Sequence, residues 1–293
     1  MPGQYKEIAE HLRTHTQTLA TTIGERNLWR YRELCAAADY CERSLAVGGW
    51  TVSVQEFSVD GSSVRNVEAV KPGVRNPREI VVVGAHYDTI VGSPGANDNG
   101  SGVAALFEIA RLIGRERLKR TVRLVAFVNE EPPYYRTPHM GSMVYARRCR
   151  LQGEDIRGML SLETIGCYSS LRGSQTYPVP LNLFYPNTGN FIGFVGNLRS
   201  RKLVSACVRS FRRTNDFPLQ SISAPGWIMG LGWSDHWAFW RYGYPAVMVT
   251  DTALFRYPYY HDPRDTPDKL DFESMARVVS GLRTVVTDLA NNN

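Results

Sequence analysis

Two uninterrupted apolar runs, Ile80 to Ala85 and Val122 to Val128, limit what this chain can fold into more than any other feature. Both are short and rich in valine and isoleucine. Neither shows the apolar/polar alternation of a strand with one wet face, so both read as strands covered on two sides. An Ala/Leu/Ile-rich segment of helical spacing, Gly102 to Ile113, lies between them. A parallel strand pair joined by a crossover helix follows.

The flanking sequence extends this pattern. Helical spacing over Lys6–Ala20 and Leu28–Ala46, the second stopped by Gly48-Gly49, predicts two N-terminal helices. Thr51–Val59 and Val64–Val70 alternate around Asp60-Gly61 and predict an antiparallel hairpin. Helices are expected over Met143–Arg150, Leu203–Arg212, Trp237–Tyr242 and Phe272–Leu289, and strands over Ile156–Thr164, Phe191–Val195 and Ala246–Thr250. Residues 169–190, with Pro178, Pro180 and Pro186, read as an irregular insertion long enough to serve as a lid. With no linker or internal repeat, residues 1–293 form one α/β domain with a mixed, mostly parallel sheet flanked by helices, residues 1–48 packing on it. Its functional residues belong at the carboxyl ends of the parallel strands.

Composition excludes several classes of function. With 43% hydrophobic and 21% charged residues the chain is an ordinary globular sequence, neither disordered nor coiled coil. A net charge of +6 is too mild to indicate nucleic-acid binding. Lys6, Glu7, Glu10 and Arg13 break every apolar stretch near the N-terminus, so neither a signal peptide nor a membrane span is expected. A cytoplasmic protein follows, or a secreted one if a leader has been removed. Five scattered cysteines without a CxxC pair oppose both a disulfide framework and a zinc ribbon.

Acidic residues and histidines fall where such a sheet would present them. His86 closes the run VVVGAH, and Asp88 lies on the same side of an extended chain, where its carboxylate can orient the imidazole of a metal ligand. Asp98 sits in GSPGANDNGSG, a glycine-rich turn without the GxGxxG or GxxxxGK[ST] spacing of a phosphate loop; an N-cap role is the structural alternative to a cation ligand. Glu130-Glu131 ends RLVAFVNEE. Two adjacent carboxylates there are costly to bury without a cation, and in an extended chain they point opposite ways, one toward a metal and one toward a water. Glu163 ends GMLSLE, and His261 lies in YPYYHDPRD.

The series GAHYDT, GANDNGSG, NEE, LETIG and YHDPRDTPDKL, preceded by the Asn66-Val67-Glu68-Ala69 strand, resembles the M28 family of zinc-dependent aminopeptidases and related exopeptidases. The resemblance implies two zinc ions: His86 and Glu163 on one, Glu131 and His261 on the other, Asp98 bridging. It makes Glu130 the general base, Asp88 the partner of His86, and the Asp98–Asn99 peptide cis. Glu163 departs from the family, which more often has Asp there. The implied activity is hydrolysis of N-terminal bonds in peptide or aminoacyl substrates, with no nucleic-acid or membrane partner.

Two other functions compete. Ser234-Asp235-His236-Trp237 could serve the aromatic-walled pocket of a one-zinc glutaminyl cyclase, although a serine helix cap followed by core aromatics is the simpler reading. A non-catalytic binding protein on a peptidase fold would need no intact ligand set. Tyr134, Tyr135, Arg136, Tyr168, Arg256 and Tyr257 are candidate lining residues of the substrate pocket, and the basic ones among them would favour acidic substrates.

Overall fold

In the computed structural model, which describes residues 2–177, 179 and 181–291, the apolar runs form adjacent parallel strands. The first is the core of β3 (Asn76–His86) and the second of β4 (Arg120–Phe127), with helix α3 (Gly102–Ile113) crossing between them. Every residue of β3 from Ile80 onward is buried, as continuous apolar character requires. Ahead of them come α1 (Pro2–Gln17), α2 (Tyr31–Leu45) and the hairpin β1 (Thr51–Val59) with β2 (Ser62–Lys71). Asn27 starts the turn into α2 by accepting the N–H groups of Trp29 and Arg30 at 3.1 and 3.2 Å.

The remaining elements are α4 (Gly141–Leu151), β5 (Asp155–Glu163), β6 (Ile192–Asn197), α5 (Arg201–Thr214), β7 (Leu219–Ala224), α6 (His236–Arg241), β8 (Ala246–Thr250) and α7 (Phe272–Asn291). One eight-stranded sheet results, ordered β1-β2-β4-β3-β5-β8-β6-β7. The pairs β4/β3, β3/β5, β5/β8 and β6/β7 are parallel, and β1/β2, β2/β4 and β8/β6 antiparallel. The mixed, mostly parallel α/β sheet expected from the sequence is therefore the one observed.

Helices α1, α3 and α7 pack together on one face, their buried Leu12, Phe107, Leu282 and Val285 joining Val83 and Leu124 of the sheet. The opposite face is covered by α4 and α6, with Tyr145 and Phe239 against Phe127. Among the described residues no helix is long and apolar enough to cross a membrane.

Strand β7 is the element the sequence does not reveal. Its LQSISA carries little apolar weight, lies at the sheet edge, and is boxed in by Pro218 and Pro225. Residues 169–190 form the irregular insertion expected. Among its described residues, Ser169 N–H donates to Gly189 O at 2.9 Å, and Arg172 bridges to Thr188. Pro178 and Pro180 lie outside the described residues.

Candidate metal centre

The central parallel strands deliver the acidic residues at one edge, the carboxyl end of the sheet. His86 is the last residue of β3 and Glu163 the last of β5, while Glu130 and Glu131 follow the end of β4. Asp98 comes from the turn before α3, and His261 from the loop between β8 and α7. All are buried except His261, which is partly exposed.

Two triads share one residue. His86 Nε2 lies 3.3 Å from Asp98 Oδ1 and 3.3 Å from Glu163 Oε2. His261 Nε2 lies 3.1 Å from Asp98 Oδ2 and 3.3 Å from Glu131 Oε2. In each triad the candidate ligand atoms fall within 4.8 Å of one another. Asp98 thus turns one oxygen to each half, and Glu130 Oε2 stands 3.9 Å from His86 Nε2. Asp98 Oδ2, Glu131 Oε1 and His261 Nε2 are buried without a hydrogen-bond partner. Buried polar atoms rarely go unpaired, and two imidazoles with three carboxylates converging in this way are a donor set that suits zinc.

The electrostatics of the protein atoms agree with that fit. Burial pushes Glu131 up to about 7, and Glu130 and Glu163 also rise above the usual carboxylate range. Against the effect of burial, Asp98 and Glu131 hold His261 up at about 10, and Glu163 and Glu130 raise His86. Burial would raise Asp98 too, but the His261 and His86 imidazoles beside its two oxygens bring it down. Among the described residues no Lys or Arg pairs with any of these carboxylates.

Surrounding groups fix the ligand-bearing backbone. The Asp98–Asn99 peptide is cis, as the family resemblance implied. Asp265, which the sequence reading overlooked, accepts the N–H groups of Asn97 and Asp98 at 2.8 and 3.0 Å and the hydroxyl of Tyr257 at 2.7 Å. Asn99 donates to Leu162 O at 2.8 Å and accepts from Thr164 N–H at 3.1 Å, tying the turn to the end of β5. The ring of Tyr260 stacks on His261 at 3.9 Å.

Several expectations require correction. The nearer contact of His86 Nδ1 is the carbonyl of Asp88, at 3.2 Å; the carboxylate is 3.7 Å away and instead accepts the N–H groups of Glu130 and Glu131 at 3.1 Å each. Asp88 therefore orients the two glutamates as well as the imidazole. Glu130 and Glu131 diverge from a loop, not from an extended strand: Asn129 has a φ of 58° and Pro132–Pro133 is cis. Asp98 does not cap α3. Ser234 is not a helix cap either, since its hydroxyl donates to Glu163 Oε2 at 2.7 Å. Glu163, one methylene longer than Asp, is held at its carboxylate by that bond.

An open cleft of about 840 Å³ begins beside Glu163. Met229, Leu231, Trp233, Met248 and Phe255 form much of its wall, with Tyr177 and Tyr185 from the 169–190 insertion. None of the six candidate lining residues borders it. Arg256 is instead buried, donating to Gln175 Oε1 at 2.7 Å and to the carbonyls of Cys167 and Phe191, and Tyr168 packs edge-on against Phe217.

An α/β sheet whose carboxyl edge gathers histidines and carboxylates defines a metallohydrolase. Residues 66–286 match the pattern of peptidase family M28. The chain belongs to that family, the zinc-dependent exopeptidases its motifs resemble. It is 35% identical to the protein YfbL of Escherichia coli K12 over 286 residues, covering 94% of this chain and 87% of that one. Its fold matches BSAP, a zinc aminopeptidase from Bacillus subtilis, with a TM-score of 0.76 at 15% identity over 97% and 95% of the two chains. It also matches a glutaminyl cyclase of Fimbriiglobus ruber, with a TM-score of 0.69 at 20% identity over 95% and 94%.

Proposed function

We propose that this chain is an aminopeptidase with two zinc ions, acting on peptides or aminoacyl compounds. The observation that carries the reading is Asp98, whose two oxygens face two separate histidine–carboxylate triads. His86, Asp98 and Glu163 would hold one ion, and Asp98, Glu131 and His261 the other. When bound, zinc supplies Lewis acidity toward the scissile carbonyl and makes a water easier to deprotonate.

The chain's own groups handle the proton and the substrate. Glu130, without a place in either triad, takes a proton from the attacking water and delivers it to the leaving amine nitrogen. Burial and the neighbouring Glu131 and Glu163 raise its proton affinity, while positive charge in the centre lowers it toward the working range of a base. Asp88 fixes that carboxylate by holding the Glu130 N–H. The cleft beside Glu163 receives the side chain of the N-terminal residue. Among the described residues Glu163 is the only charged one lining it, so a large apolar side chain is the preferred one.

The complete second triad, Asp98, Glu131 and His261, supports this reading over a one-zinc cyclase, which needs only one set of ligands. Intact ligands together with Glu130 likewise support an enzyme over a binding protein. Metal analysis of the purified protein should give two zinc per chain. Glu130→Gln should retain both and lose about 10³-fold in kcat, within the range for a general base. Full activity of that variant with metal retained would refute the assignment of Glu130, and one zinc with pyroglutamate as product would replace the peptidase with a cyclase.

A further inference from the structure

Arg26 lies in the loop between α1 and α2, outside the residues that match the family, yet it is fully buried behind the metal centre. Its guanidinium meets no carboxylate in an ion pair among the described residues. Its donors are spent on main-chain carbonyls: Nε on Tyr87 O at 2.6 Å, Nη1 on Pro94 O at 2.7 Å, Gly24 O at 3.1 Å and Leu19 O at 3.3 Å, and Nη2 on Gly95 O at 2.9 Å. Main-chain bonds add to these. Arg26 N–H donates to Thr89 Oγ1 at 3.0 Å, and Thr89 N–H donates to Arg26 O at 2.9 Å.

The carbonyls it holds flank the ligands. Tyr87 stands between His86 and Asp88, and Gly95 O also accepts Gly100 N–H at 3.0 Å, closing the turn that carries Asp98. Burying a guanidinium without a contacting anion is costly, and burial lowers Arg26 to about 10, opposed by neighbouring groups that include Asp88, Asp265 and Asp98. It stays charged at neutral pH. A residue serving only to fill this space would be apolar. What an arginine adds is a rigid planar fork reaching several acceptors at once.

We infer that Arg26 is a positioning residue of the metal centre: its fork sets the spacing between the His86–Asp88 segment and the Asp98 turn before metal arrives. This inference rests on the proposed zinc site. Groups that orient metal ligands typically change affinity about 10- to 100-fold when replaced. Arg26→Lys keeps the charge and loses the fork, whereas Arg26→Met loses both.

Zinc affinity by chelator competition and the Co²⁺ absorption spectrum test the inference without reference to turnover. Both variants should bind zinc about 10- to 100-fold more weakly and shift the Co²⁺ bands. Tyr145→Phe, which removes a buried hydroxyl bonded to Glu68 on the other face of the sheet, should lower thermal stability yet keep zinc affinity within about twofold. Arg26 variants that lose only thermal stability overturn the inference. So does wild-type affinity in Arg26→Lys with tighter binding in Arg26→Met, which would make the charge and not the fork the active feature. Should neither variant fold, Arg26→Gln keeps a planar donor group but cannot reach Tyr87 O, Pro94 O and Gly95 O together; unchanged zinc affinity there overturns the inference and a clear loss supports it. A wild-type protein that binds no zinc would mean failure of the metal reading itself, a result distinct from all of these.

Discussion

Two acidic regions of the molecule cover their glutamates and treat them in opposite ways. Beneath α4, Glu154 receives both terminal nitrogens of Arg123 at 2.7 and 2.8 Å, and Glu68 receives the Tyr145 hydroxyl and Arg148. Every carboxylate there has a cationic or hydroxyl partner supplied by the chain. At the carboxyl edge of the sheet, Asp98, Glu130, Glu131 and Glu163 have two histidines among them and no Lys or Arg within ion-pair distance among the described residues. Burying carboxylates is costly in both places. Only the second site leaves the compensating charge to come from outside, and that deficit separates a ligand-binding centre from a structural network made of the same residue types.

Chelation breaks the comparison most directly. Removing zinc should abolish activity and, because metal binds only the folded state, remove about 4 kcal/mol of stability if the free ion stood at about a thousand times its Kd. A thermal scan should show the transition falling by about 7 °C, and restored zinc should reverse both effects. A transition temperature indifferent to chelation would put the edge cluster in the same category as the Glu68 network.

How far this centre was legible from sequence depends on where each residue sits. His86, Asp98, Glu130, Glu131, Glu163 and His261 could all be named as candidates because most of them end or follow apolar strands, and Ala246–Thr250 was placed with both boundaries correct. Ser234, Asp265 and Arg26 were not. A serine ahead of a short helix has a commonplace role as a cap, an aspartate among prolines resembles a turn, and an arginine in a Gly-Glu-Arg-Asn loop resembles a solvated charge. Their roles arise from contacts across long sequence separations, which periodicity cannot register. Strand β7 was missed for a related reason: its pairing with β6 substitutes for the apolar content it lacks.

Charge added at the rim sharpens the contrast. Met229, which lines the cleft and is 56% exposed, accepts substitution at little risk to the fold. Met229→Asp places a further carboxylate where none of the described lining residues is a cation, so it should lower kcat/KM for an N-terminal leucine substrate relative to a lysine one by about tenfold, or 1.4 kcal/mol. Parallel assays of Leu and Lys p-nitroanilides read the ratio. An unchanged ratio would remove this cleft from the substrate path.

A smaller effect is expected from Ser234→Ala. The hydroxyl donates to Glu163 Oε2 and also bonds Ser161 Oγ at 2.8 Å. Its loss costs about 1 kcal/mol, equivalent to about fivefold in affinity for one zinc, while the Asp98–Glu131–His261 half keeps its own. Stepwise zinc titration resolves the two halves. Equal weakening of both would show the ions to be more tightly coupled than a shared aspartate alone requires.

The smallest effect on the centre should follow the largest insult to the other network. Arg123→Met strands Glu154 and leaves Glu68 with Tyr145 and Arg148, costing about 3 kcal/mol because a half-buried carboxylate loses both of its hydrogen bonds from the guanidinium. Denaturant unfolding should register that loss in full. Zinc affinity and kcat should stay at their wild-type values, since Arg123 lies on β4 well before its carboxyl end and, among the described residues, none of its hydrogen bonds or ion pairs reaches a ligand. If zinc binding weakened together with stability, the two acidic regions would be a single charge system spanning the sheet, and the distinction between a compensated network and one awaiting cations would fail.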